Sequence, residues 1–164
     1  YDPTTRTLRL SPGVARIPSV AAMGIAAHEV GHAIQHARAY APLKARSALV
    51  GPANIGSSIG MYAAMFGFIM QSSGLVWVGV ALFSLAVVFA LITLPVEFDA
   101  SRRATEALVR VGLVDGGVAG GQEAKGVSAV LGSAAWTYVA GFAASLLTLL
   151  YYVMLLTGMR SSDD

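Results

Sequence analysis

The chain has 164 residues, of which 55% are hydrophobic and only 12% charged, with a mean hydropathy of +0.66 and a formal charge of +2. That balance excludes an ordinary soluble globule, and its few scattered basic residues exclude a nucleic-acid-binding surface. The absence of Cys removes disulfides and thiolate ligands, which leaves His and carboxylates for any metal.

In chain order, Asp2 and Pro3 set a turn, after which residues 5–11 alternate Leu8 and Leu10 with Thr7 and Arg9, a period of two that predicts a short half-buried strand. Pro12 and Gly13 break it. Ser19 then caps a helix expected to run to about Tyr40, and Pro42 ends that helix or opens the next. From Ser47 to Val96 there is no Asp, Glu, Lys, Arg or His, and a second uncharged run extends from Gly126 to Met159. A bilayer crossing needs roughly 20 apolar residues. The first run therefore reads as spans over 48–70 and 75–95, joined at Gln71 to Gly74, and the second as a span over 134–157. Pro95 marks the exit from the bilayer. A helix is expected from near Glu97 to Gly112, followed by a flexible loop over 115–122.

The expected fold is an all-α integral membrane protein with about three transmembrane helices and a short N-terminal strand. Its parts form one integrated domain: 1–46, 47–96, 97–125 and 126–164. The abrupt start at Tyr1 suggests that an N-terminal part is missing. Arg38, Lys44 and Arg46 precede the first span, and Arg102, Arg103, Arg110 and Lys125 separate the second from the third. The positive-inside rule puts both segments in the cytoplasm and the turn at 71–74 outside. Gly56 with Gly60, and Ala140 with Ala144, are small-residue pairs suited to close helix association. Oligomeric state is not readable.

Within the first helix lies HEVGH, residues 28–32. A shuffled chain of this composition shows HExxH only about once in a thousand times. Four residues apart on a helix, His28 and His32 stand about 6 Å apart along one face and can reach one cation. Glu29, rotated by one residue, stands beside that cation as a general base that takes a proton from the attacking water. One zinc ion is the expected cofactor. His36 is too far for the same ion, about 12 Å from His28 along an unbroken helix, and reads as a surface histidine, a nearby polar residue or a transition-state donor. A third ligand is still required. Two crossings return the chain to its starting side, where Glu97 and Asp99 are the first acids to emerge. Glu97 is thus the candidate ligand, with a helix-start carboxylate as the plainer reading. Asp99 pairs with Arg103 at i,i+4 or accepts the outer N–H of a ligating imidazole. Tyr138 is a candidate oxyanion donor.

The blocks HEVGHAIQHA, PANIGS, LPVEFDASRRA and WTYVA resemble the bacterial neutral zinc metallopeptidases, YugP-type membrane proteins, over about residues 1 to 152. More distantly, HExxH followed by EFDAS resembles the membrane gluzincins, whose usual Asp is replaced here by Ser101. The resemblance implies peptidase activity on a peptide or membrane-protein substrate, at the cytoplasmic surface of the bacterial inner membrane. In gluzincin-like enzymes an edge strand pairs with the extended substrate, which makes Thr7, Leu8, Arg9 and Leu10 candidates for that role. The alternative is a non-catalytic metal-binding transporter, sensor or scaffold, although the three spans hold no ionisable ligand residues.

Overall fold

The computed structural model describes residues 1–114 and 121–160. Among them are five helices and no strand: α1 (Pro12–Arg16), α2 (Val20–Ala37), α3 (Ala41–Ile69), α4 (Ser73–Arg110) and α5 (Gln122–Arg160). The expected all-helical class holds, and the loop expected at 115–122 falls largely outside the described residues.

The N-terminal strand is corrected. Asp2 builds a local turn instead: its carboxylate accepts from the Thr4 N–H at 2.9 Å and the Thr5 hydroxyl at 2.7 Å. Asp2 and Thr7 then form a single antiparallel bridge. Leu8 and Leu10 are half-buried while Thr7 and Arg9 are exposed, so the alternation is real in burial. No neighbouring strand supplies a ladder, and without one a period of two does not make a sheet. Thr7, Leu8, Arg9 and Leu10 therefore present no sheet edge. Where Pro12 was read as a breaker, it opens α1 behind the Ser11 cap, a position that suits its missing N–H.

Ser19 caps α2 by accepting from the Ala22 N–H at 3.1 Å. Three helices stop in the same way. After α2, Ala39 turns left-handed (φ 53) as the Tyr40 N–H reaches back to the Gln35 carbonyl. After α3, Gln71 (φ 52) lets the Ser72 N–H reach Gly67, and after α4, Gly112 (φ 71) lets the Leu113 N–H reach Leu108. Each satisfies a carbonyl that the helix end leaves open. Pro42 sits in the first turn of α3, so it opens that helix.

The span expected at 75–95 and the helix expected from Glu97 are one helix. α4 runs for 38 residues straight through Pro95. Proline removes one intrahelical bond, but Thr93 just before it and Val96, Glu97 and Ala100 just beyond it are all buried, so packing on both sides of the break keeps the helix continuous.

The chain divides into two compact units. The first comprises Tyr1–Leu43 and Leu94–Tyr138, the second Lys44–Thr93 and Val139–Asp164. The first unit has a core of Ala27, Ala104, Leu108, Val114, Val127 and Leu131. In the second, Val76, Val80 and Leu156 pack with Tyr152, whose ring meets Phe83 edge-on at 5.9 Å. There α3 and α4 touch backbone to backbone: a Cβ at Gly79 would lie 2.4 Å from the Ala64 nitrogen, and one at Gly60 or Gly56 would lie 2.6 or 2.7 Å from the α4 backbone. That is the small-residue packing expected of apolar helices without a hydrophobic drive between them. Ala140 and Ala144 are exposed.

Two helices are long and apolar enough to cross a bilayer, Ser73–Arg110 and Gln122–Gly158, and only 22% and 6% of their most apolar stretches is buried in the chain. A core helix of a soluble protein would be mostly buried. α3 has the length at 29 residues, but Pro52, Asn54, Ser57 and Ser58 dilute its apolar run, so the span expected at 48–70 is not among them.

Candidate metal centre

The inward face of α2 is built from small residues, with Ala22, Gly24, Ala27 and Gly31 all buried. At Gly31 the helix meets α4 so closely that a Cβ would sit 2.3 Å from the Ala100 carbonyl oxygen. Any side chain there forces the helices apart. Ala100 lies one turn beyond Glu97, so this approach carries the Glu97 carboxylate against the imidazoles of His28, one turn before the contact, and His32, the residue after it.

The result is a three-residue cluster. Glu97 Oε2 lies 3.1 Å from His28 Nε2 and 3.6 Å from His32 Nε2. One ligand atom from each residue falls within 4.8 Å of the other two. The ligand atoms of a tetrahedral zinc ion, with bonds of 2.0–2.2 Å, stand about 3.4 Å apart. The donor set fits zinc, and the two Glu97 distances of 3.1 and 3.6 Å bracket that spacing. Burial sharpens the point, since the Glu97 side chain is 1% exposed, and a carboxylate that deep requires positive charge or hydrogen bonds around it.

The outer nitrogens of both rings are held too. His28 Nδ1 lies 3.2 Å from the Ser101 hydroxyl. His32 Nδ1 lies 3.0 Å from Gln35 Oε1. Asp99 touches neither ring; it accepts from Gln35 Nε2 at 2.9 Å, from Arg103 at 2.6 Å and from Arg102 at 2.5 Å. Beyond the uncharged stretch, burial is the largest influence on the Asp99 carboxyl and acts to raise its pKa. The hydrogen bonds from Arg103, Gln35 and Arg102 outweigh it and hold the group below the usual carboxylate value.

Glu29 lies beside the cluster, 28% exposed, and its Oε2 accepts from the Tyr1 nitrogen. His36 is not with the metal-ligating groups: its Nδ1 is 2.8 Å from the Tyr1 hydroxyl, two turns along α2 from His28. Tyr138 lies on α5 at 36% exposure. The sequence reading passed over Gln35 and Gly31. Gln35 had a visible signal, since 28, 32 and 35 fall on one helical face, whereas the need for Gly31 depends on where α4 passes.

The profile of the family described as "Putative neutral zinc metallopeptidase" matches residues 1–157. Over 163 residues, 99% of this chain and 70% of the relative, the sequence is 41% identical to the "Putative membrane protease YugP" of Bacillus subtilis (strain 168). No solved structure is significantly similar. The chain therefore belongs to this neutral zinc metallopeptidase family.

Proposed function

We propose that the chain is a membrane-bound zinc endopeptidase in which Glu29 activates the attacking water. The observation that carries this reading is the convergence of two imidazole Nε2 atoms and a buried carboxylate oxygen, with Glu29 at the adjoining helical position. Zinc bound there supplies a Lewis acid and lowers the pKa of water to about 7.

The chain's own residues do the rest. His28 and His32 bind through Nε2 and Glu97 through its carboxylate. Glu29 takes the proton of the attacking water at its carboxylate as that water adds to the scissile carbonyl carbon, then delivers the proton to the departing amine nitrogen. Its partial exposure leaves it within reach of a substrate.

α4 and α5 cross the bilayer, and α3, fitted to α4 through glycine contacts, is read as a third crossing. The basic residues within 38–46 and 102–125 support a reading in which the site faces the cytoplasm and acts on peptides or membrane proteins.

The test uses purified full-length chain in detergent. Glu29→Gln is expected to keep zinc and to lose peptide cleavage by about 10²–10⁴-fold. Undiminished cleavage by Glu29→Gln defeats the mechanism, and a wild-type chain that binds zinc without cleaving any peptide supports a non-catalytic metal protein instead.

A further inference from the structure

Gln35 is 0% exposed, among the most deeply buried polar side chains described. Burial of an amide this deep is costly unless its hydrogen bonds are made. They are. Its Nε2 faces two acceptors, the Val96 carbonyl at 2.7 Å and Asp99 Oδ2 at 2.9 Å. The main-chain carbonyl has no proton to donate, and the Asp99 carboxylate is itself occupied in accepting from Arg102 and Arg103.

This settles a choice that is otherwise open for an amide and for a neutral histidine. With both acceptors on one side, the NH₂ end must point there and Oε1 must point at His32. Oε1 accepts only, so His32 Nδ1 must carry the proton across the 3.0 Å contact. The lone pair of the neutral ring is then on Nε2, facing Glu97. At His28 the outer partner is a hydroxyl, Ser101. A hydroxyl both donates and accepts and rotates freely, so it imposes no tautomer.

We infer that Gln35 is a positioning residue that presets His32 to ligate through Nε2, and that it also pins α2 to α4 at Val96, while His28 is not preset by Ser101. The inference rests on the zinc reading of the site above. The relay runs from Arg102 and Arg103 through Asp99 and Gln35 to His32, so half of the ligand pair is oriented before the cation arrives. Outer partners of metal-bound histidines typically contribute 10–100-fold in affinity.

The experiment measures zinc affinity by chelator competition on full-length wild type, Gln35→Met and Ser101→Ala, and reads the His32 tautomer of zinc-free wild type by nitrogen NMR. Gln35→Met keeps the bulk and removes the acceptor, and is expected to weaken zinc by about 10–100-fold. Ser101→Ala is expected to lose the least. Wild-type affinity in Gln35→Met, or a loss in Ser101→Ala as large as that in Gln35→Met, overturns the inference. Should Gln35→Met not fold, nitrogen NMR on zinc-free wild type decides it: a proton on His32 Nδ1 is expected, and a neutral ring protonated only at Nε2 overturns it. If wild type binds no zinc, the peptidase reading fails while the NMR result still judges the relay.

Discussion

The two units of this chain solve the same problem, holding long helices together, with opposite chemistry. In the unit comprising 1–43 and 94–138, polar side chains go inside and are matched: Gln35 and Glu97 at 0–1% exposure, Asp99 between two arginines, and two imidazoles against a carboxylate. In the unit comprising 44–93 and 139–164, α3 and α4 meet through glycine, and hydroxyls such as Ser84 and Thr93 turn back onto their own helix carbonyls. Small-residue contact suffices to associate helices. Buried polar groups cost more and are kept where chemistry needs them, which is why, among the described residues, the site is legible as the place where such groups collect.

Substitution at matched contacts in the two units separates association from function. Gly31→Ala drives a Cβ into the Ala100 carbonyl, 2.3 Å away. We expect it to destabilise by about 1–3 kcal/mol or more, and also to weaken zinc binding, because the displaced helix carries both histidines. Gly79→Ala meets the Ala64 nitrogen at 2.4 Å and is expected to cost a similar amount of stability while leaving zinc affinity unchanged. Thermal unfolding paired with chelator competition reads both, and equal zinc affinity in the two variants breaks the comparison. The smallest effect is expected from Gly112→Ala. Nothing lies within 4 Å of that position, but its φ of +71 is left-handed, so the cost is about 1–2 kcal/mol of strain with no change at the metal site.

Local signals in the sequence translated well. The Ser19 cap, the stop at Gly112 and the shared face of His28 and His32 each depend on a few neighbouring residues, and each appears in the structure. Glu97 was named from an expected return of the chain to its starting side, and the structure brings its carboxylate to both imidazoles. The failures have a common cause in tertiary partners. Residues 5–11 alternate correctly but have no strand to pair with, and Pro95 breaks a bond without ending α4 because packing spans the break. Ser101 occupies a position where a carboxylate was the pattern, and a hydroxyl reaches His28 from it. Gln35 shares the helical face of His28 and His32, but its bonds to Val96 and Asp99 depend on where α4 passes and no local pattern shows them.

The central claim is that one cation is gripped by residues 28, 32 and 97. Zinc-edge X-ray absorption with metal quantification on the purified full-length chain tests it most directly, run beside Glu97→Ala. The account predicts one zinc per chain, nitrogen ligands from two imidazoles and a carboxylate oxygen at about 2.0–2.2 Å, with the oxygen contribution changed and the affinity sharply lowered in Glu97→Ala. Substoichiometric metal in wild type, or an identical zinc environment and affinity in Glu97→Ala, contradicts it.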